Sequence, residues 1–543
     1  MIAGALRIGD IAEGSLTYGY GCLARLRIGW LGPELRLTPE QLATGLLAVA
    51  ENGQRLSLFN CEQDGHSLYP EFVTEGELKI ADVVRFEVRY TDISEWFFQQ
   101  MIVHEAPGKK VEWHEMPPTL VAEVSQPGHH FRVESFYVGT IAHQGEDRNL
   151  HQHFEFRFTA TQDRFTLADV KQQAHQFSNL LSILLAHPCS IVSVDVYADD
   201  KYGAHLYYPV SRTRRPAEDT SEDPERISFR SFFTLKSDLD PHWDGVVKKF
   251  FASEYRGVIW SRLAGMQHHE GFWEHRVLGY VTLLDGYVSQ RITMGKPVLP
   301  PKQKRAFAQR LGSKRLALTT QQQETLMEAV TAIFSQHDTF ASKFEKLIEE
   351  LDADVYKIIK LSADDFKLIK ALRNQVAHGL ELSFKERNLT PVLVIVNRIV
   401  LLLTHLFFLE VDLGKDVFLR GLERPFNKLR RESEIDEVHL ARVLKPGNFL
   451  QMTPYALRKL RKRPKLLFMC CITRNRKGVV AYSEKLSHDL QHKPRSRVTI
   501  KLHEILGLRE DAVTFLGDAY FESGSDIEQV HSTVMIDLAR VPA

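Results

Sequence analysis

The stretch DFKLIKALRNQVAHG, residues 365–379, decides how the middle of this chain folds. Phe366, Ile369, Leu372 and Val376 recur at spacings of three and four, the period of one face of an α-helix. That stripe turns inward, so Lys370, Asn374 and the helix end face outward. Ser362, with Asp365 three residues on, resembles a capping box, and Gly379 is a natural terminator. At 100° per residue Asn374 and His378 stack one turn apart on one face. Arg373 and His378 are about 140° apart on a regular helix, a gap that a long arginine bridges by swinging round the helix end. The expectation is a cluster of Arg373, Asn374 and His378 at the end of a capped helix.

The helical period extends to both sides of this segment. Residues 244–266, 272–291 and 321–351 read as helices. PVLVIVNRIVLLLTHLFFLE (391–410), entered through Thr390 as N-cap and Pro391, is apolar nearly all round. A membrane span there would carry Asn397, Arg398 and His405, and a central arginine alone costs about 2.5 to 3.5 kcal/mol on insertion. A helix buried in protein is therefore expected. A small bundle has difficulty covering such a run, which predicts a homodimer through the helical domain.

Upstream the period drops to two. In residues 84–90 (VRFEVRY) and 153–158 (HFEFRF), aromatics fall on one face and charges on the other, the pattern of a half-buried antiparallel sheet. Helical stretches at 91–101 and 167–185 make this first region, residues 1–210, α+β. SRTRRPAEDTSEDPER (211–226) has the composition of an exposed linker. The predicted organisation is multidomain α+β, with an all-α domain at 227–412 and a small basic α/β domain at 413–543. Strands are expected at 466–472, 479–482 and 498–502 in the last part.

Length and composition agree with several domains. At roughly 150 residues each, 543 residues make three to four. Lysine plus arginine and aspartate plus glutamate both total 69, so the chain as a whole has no attraction to nucleic acid or membrane, and any such affinity is local. It is local: between residues 441 and 501 sixteen basic side chains face only Glu484 and Asp489. Arg458, Lys459, Arg461, Lys462, Arg463 and Lys465 crowd into eight residues and are expected to bind RNA, although a basic run is also a common solvated face. The five cysteines form no Cys-x-x-Cys pair and the N-terminus does not read as a secretory signal, which together fit a reducing cytoplasm.

Arginine, asparagine and histidine suit phosphodiester chemistry without a metal. Arginine grips a phosphate bidentately, and histidine exchanges a proton near neutral pH. With RNA as substrate the 2′-hydroxyl is the nucleophile, so the protein supplies only proton transfer and charge. Spacing alone decides little: arginine, four to six residues and then histidine occurs at Arg148 to His153, Arg262 to His268, Arg373 to His378, Arg398 to His405 and Arg497 to His503. Only Arg148-Asn149 and Arg373-Asn374 add the asparagine, and only the second ends an amphipathic helix. The plain alternative is a surface arginine paired with Asp364 or Asp365. His268, His269 and His275 lack His-Glu-x-x-His spacing, and Gly295-Lys296 lacks the rest of a phosphate loop, so no metal or cofactor is expected.

The segment LRNQVAHG, between a capped helix and a long apolar one, resembles the Arg-Asn-x-x-x-His signature of the HEPN superfamily of helical-bundle ribonucleases. The helix around residues 272–287 is similar to its ApeA-like branch, whose acidic residue and tyrosine correspond to Asp285 and Tyr287. The strand-rich start, Trp96 and Asn149-Leu150 resemble the ApeA N-terminal domain. Ala377 and Gly379 depart from the bulky residue and tyrosine more usual beside that histidine. The resemblance spans residues 1–412 and implies an endoribonuclease, its site commonly shared by two protomers, acting in bacterial anti-phage defence by abortive infection after a phage-derived or cellular trigger. It implies Arg373, Asn374, His378 and Asp285 as the catalytic set, with RNA as partner. The alternative is a non-catalytic interaction or RNA-binding module.

Overall fold

A computed structural model describes residues 2–541 apart from 9–11, 20–21, 29–37, 40–41, 43–44, 77, 79–82, 99–117, 128, 145–146, 200–202, 211–226, 228, 269–270, 293–300, 314–315, 336–338, 380–388, 464–468 and 493–500. It divides into two compact units, Met1–Ile435 and Asp436–Ala543. The predicted linker, 211–226, lies outside the described residues.

The first unit opens on β1 (Ile2–Ile8), β2 (Ala12–Gly19), β3 (Cys22–Ile28), β4 (Leu46–Ala50), β5 (Arg55–Asp64) and β6 (Ser67–Glu75). All pair antiparallel, and because β3 pairs with both β2 and β6 they close into a ring. Leu16, Leu26, Ala48, Leu58, Leu68 and Val73 fill it. From β6 the sheet continues through β12 (Gly203–Tyr207), β11 (Ile191–Tyr197), β7 (Arg85–Tyr90), β10 (Asp147–Ala160), β9 (His129–Gln144) and β8 (Val121–Gln126).

The period-two reading holds in this second half. Phe86, Val88, Phe156 and Phe158 are buried on one face against Phe177 of the helix Leu167–Leu185. On the other face Glu87 accepts hydrogen bonds from Arg157 Nε at 2.7 Å and Tyr197 Oη at 2.8 Å. The same alternation exposes His151 and pairs His153 with Glu155 at 2.7 Å, so those histidines serve the sheet's polar face.

Helices follow, numbered here as α1 (Ile93–Phe97), α2 (Leu167–Leu185), α3 (Trp243–Ala252), α4 (Ser261–Gln267), α5 (Trp273–Arg291), α6 (Pro301–Leu311), α7 (Thr320–Ser335), α8 (Phe340–Glu350), α9 (Ala353–Ile359), α10 (Ala363–Ala377), α11 (Thr390–Glu410), α12 (Lys415–Leu422) and α13 (Lys428–Glu432). The helix expected over 244–266 is broken: Ser253 turns extended, its hydroxyl donates to Glu410 at 2.9 Å, and a π-turn at Arg256–Trp260 leads into α4. The one expected over 321–351 is divided between α7 and α8, the second starting from a Thr339 cap. At α11 the cap is Leu389, with Thr390 already helical.

The sheet and the helices share one core. Trp96 donates its indole N–H to the Thr234 carbonyl at 2.9 Å, and Trp243 packs on Phe156 at 6.0 Å. The compact unit therefore runs through the expected junction near 211–226, and it ends at Ile435 rather than 412, because Phe418 of α12 packs on Phe408 at 5.7 Å. α11 is enclosed by this chain alone. Residues 392 and 394–408 are buried, with Trp260 on Phe407 at 5.2 Å and Phe233 on Phe408 at 5.9 Å. Of its most apolar 18-residue window 89% is buried, as expected for a helix inside protein, and the run needs no second chain to cover it.

The second unit has a sheet in the order β13 (Phe449–Gln451), β16 (Val513–Ser523), β17 (Asp526–Asp537), β14 (Cys470–Arg474), β15 (Val480–Tyr482). Around it lie α14 (Glu437–Leu444), α15 (Pro454–Arg461), α16 (Glu484–His492) and α17 (Leu502–Leu506). The sequence reading missed the long hairpin β16–β17. Its expected strand at 498–502 is partly outside the described residues, and Leu502 begins a helix, with Leu506 packed among Cys471, Leu490 and Val534.

Candidate functional site

The site grows from the capping of α10. Ser362 Oγ accepts from Asp365 N at 3.0 Å, and Asp365 Oδ2 accepts from Ser362 N at 3.0 Å, a reciprocal box that fixes the first turn. Phe366, Ile369 and Leu372 are buried, and Phe366 stacks on Phe344 of α8 at 3.9 Å. With that face committed, Arg373, Asn374 and His378 emerge at the other end. Gly379, at φ 60°, stops the helix in a left-handed conformation that costs glycine nothing.

α10 lies against α5, and this packing brings Asp285 to Arg373 across 88 residues. Arg373 Nη2 stands 3.3 Å from Asp285 Oδ2, and Nη1 donates to Asn374 Oδ1 at 3.1 Å. The guanidinium is held by two nitrogens, while Nε is buried without a hydrogen-bond partner among the described residues. Ser289 donates to Asp285 from one turn along α5 at 3.3 Å. Asp364 and Asp365, the expected partners of a surface arginine, are not used: Asp365 instead accepts from Arg398 Nη1 at 3.2 Å. At 28% and 26% exposure the Arg373–Asp285 pair contributes at most about 1 kcal/mol to stability, so its effect is to orient the guanidinium.

His378 is the C-cap residue. Its backbone N–H donates to the Asn374 carbonyl at 3.1 Å, and its exposed ring makes no hydrogen bond among the described residues. The structure thus joins Asp285, Arg373 and Asn374 and places His378 one turn beyond Asn374, open to solvent. Tyr287 does not belong to this group. Two residues from Asp285 is about 200° round the helix, so Tyr287 points into the core, against Tyr255 at 5.1 Å and Trp260 at 5.3 Å. There burial pushes its hydroxyl up to about 12, and Arg291 donates to it at 2.7 Å.

His268 lies between the hydroxyls of Ser182 at 3.4 Å and Ser190 at 3.3 Å. His269 and the side chains of Arg148 and Asn149 lie outside the described residues. Among the described residues no three His, Cys, Asp or Glu side chains come together to hold a metal ion.

The basic run 458–465 is divided by the fold. Arg463 pairs with Glu528 of β17 at 2.7 Å, and Arg461 reaches Asp526 at 3.3 Å and Glu528 at 3.5 Å. Through these ion pairs the two arginines tie α15 to the hairpin. Arg458, Lys459 and Lys462 are exposed, and Lys465 lies outside the described residues.

Compared with known proteins, residues 12–250 match the model of the ApeA N-terminal domain 1, and residues 278–417 match that of the Apea-like HEPN domain. No curated protein and no solved structure matches the chain. The first match covers most of the ring, the sheet and α2; the second contains Asp285, Arg373, Asn374 and His378. With both matched in order over most of its length, the chain belongs to the ApeA-like HEPN family.

Proposed function

We propose that this protein is a metal-independent endoribonuclease of the HEPN type, an anti-phage effector that acts by abortive infection in the bacterial cytoplasm once a phage-derived or cellular trigger releases it. RNA is cut by transesterification: the 2′-oxygen bonds to the adjacent phosphorus, the bond from phosphorus to the 5′-oxygen breaks, and the proton lost by the first oxygen is balanced by one gained by the second. His378 accepts or donates that proton, Arg373 holds the phosphate, Asn374 orients the guanidinium, and Asp285 anchors it from α5. The products carry 2′,3′-cyclic phosphate and 5′-hydroxyl ends.

The observation that carries this reading is the Arg373 guanidinium, oriented by Asp285 and Asn374 near the end of the helix that the exposed His378 imidazole caps. One His378 serves one proton transfer at a time, so a homodimer that brings two copies together supplies acceptor and donor at once. With α11 enclosed in its own chain, the dimer rests on this chemistry alone.

The test is incubation of the full chain with total RNA in EDTA, wild type against His378→Ala. Cleavage by the wild type alone, with cyclic-phosphate ends, supports the reading; cleavage by both removes His378 from it. The Arg373–Asp285 ion pair favours a second reading, a helical module that binds RNA or protein without cutting, and intact RNA under every condition selects that one.

A further inference from the structure

We propose that the outer face of α15 is a docking surface for single-stranded nucleic acid, with Tyr455 as a stacking platform and Arg458, Lys459 and Lys462 as phosphate contacts. The inference stands on the second unit and does not depend on cleavage at His378.

Leu457 and Leu460 are buried, so they define the inward side of α15. Taking Leu457 as zero, 100° per residue puts Leu460 at about 300°, and the outward direction at about 150°. Tyr455 falls at about 160°, Lys462 at about 140°, Lys459 at about 200° and Arg458 at about 100°. One aromatic and three cations therefore share one face. Arg461, at about 40°, sits at the flank, which is why it and Arg463 meet the carboxylates of β17.

The cations of that face have no such partners. Arg458 reaches only its own helix, Nε to the Pro454 carbonyl at 3.4 Å, and among the described residues Arg458, Lys459 and Lys462 form no ion pair. Tyr455 is 74% exposed. A face kept only for solubility has no need of a tyrosine turned out among three cations, whereas base stacking plus phosphate contact is the pattern of single-strand binding. The complement is an anion: residues 436–543 carry 18 lysines and arginines against 12 aspartates and glutamates, in a chain whose net charge is zero.

The test uses the full-length protein with His378→Ala in the background, so that the probe survives, and a fluorescein-labelled oligouridylate read by anisotropy across a salt series. Changing Arg458, Lys459 and Lys462 together to glutamine should flatten the slope of log affinity against log salt by about 2. Tyr455→Ala should weaken binding by a factor of roughly 5 to 100 and leave the slope unchanged, while Tyr455→Phe keeps affinity. Arg461→Gln with Arg463→Gln should not alter the slope. Unchanged binding in the triple variant, a slope loss that follows Arg461 and Arg463 instead, or displacement by polyglutamate as effective as by unlabelled oligouridylate would each overturn the proposal, the last in favour of an acidic protein partner.

Discussion

α10 and α11 are adjacent helices of one bundle, and each carries an arginine beside an asparagine and a histidine further on: Arg373, Asn374 and His378 in one, Asn397, Arg398 and His405 in the other. Their fates diverge. Arg398 is 8% exposed; it donates to the carbonyls of Ser433 at 3.0 Å and Glu434 at 3.1 Å and pairs with Asp365. His405 is 1% exposed against Phe418 at 4.7 Å, with neither ring nitrogen hydrogen-bonded among the described residues, and burial holds its pKa down to about 4. Arg373 is oriented but not consumed, and His378 is open. Helix α11 is apolar all round and must be enclosed, so its polar side chains become structural. Helix α10 has one apolar stripe, so its end is free for chemistry.

The comparison is tested most strongly at the two histidines. His378→Ala should lower the rate of RNA cleavage by a factor of about 10² to 10⁴ and leave the far-UV spectrum unchanged, because no buried contact is lost. His405→Leu should do the opposite, keeping activity at neutral pH. Activity lost in the second and kept in the first would reverse the assignment of the two helices.

Next is Arg398→Ala, which takes a donor from the buried Ser433 carbonyl, from the Glu434 carbonyl and from Asp365. We expect a loss of about 3 kcal/mol in denaturant unfolding, against less than about 1 kcal/mol for Arg373→Ala. Equal losses would mean that Arg373 is as structural as its counterpart.

The third is the pH dependence that His405 confers. Its pKa is depressed in the folded state, so its contribution is intact above the unfolded value near 6.5 and is lost as pH falls from there toward 4. The full loss is on the order of 3 kcal/mol. His175, also held at about 4 by burial, acts in the same window, so the measurement is the difference between wild type and His405→Leu. Parallel stability curves for the two between pH 6.5 and 4 would show that His405 is not buried neutral.

The smallest effect is expected from Asp285→Asn. The amide oxygen still accepts from Arg373, so stability should change by less than about 1 kcal/mol and cleavage less than tenfold, while Asp285→Ala costs more activity by loosening the guanidinium. Identical rates for the two variants would show that Asp285 does not position Arg373.

Much of this was legible along the chain. The spacing of Phe366, Ile369 and Leu372, the Ser362–Asp365 box and Gly379 fixed α10 and its end, because all are local signals within a few turns. Alternation at Phe86, Val88, Phe156 and Phe158 marked the sheet for the same reason, and the family signature followed from residues in contiguous reach. Distance along the chain hid the rest. Asp285 was joined to Arg373 only by the family resemblance, and that Arg461 and Arg463 pair with β17 while Tyr455 is turned outward, and that six strands close into a ring, depend on which elements pack together. Even the homodimer expected from the apolar run of α11 lost that support once α12 and the residues around Phe233 and Trp260 were seen to cover it. Periodicity tells which face of a helix is buried; only the assembled fold tells against what, and so which charged groups remain free to act.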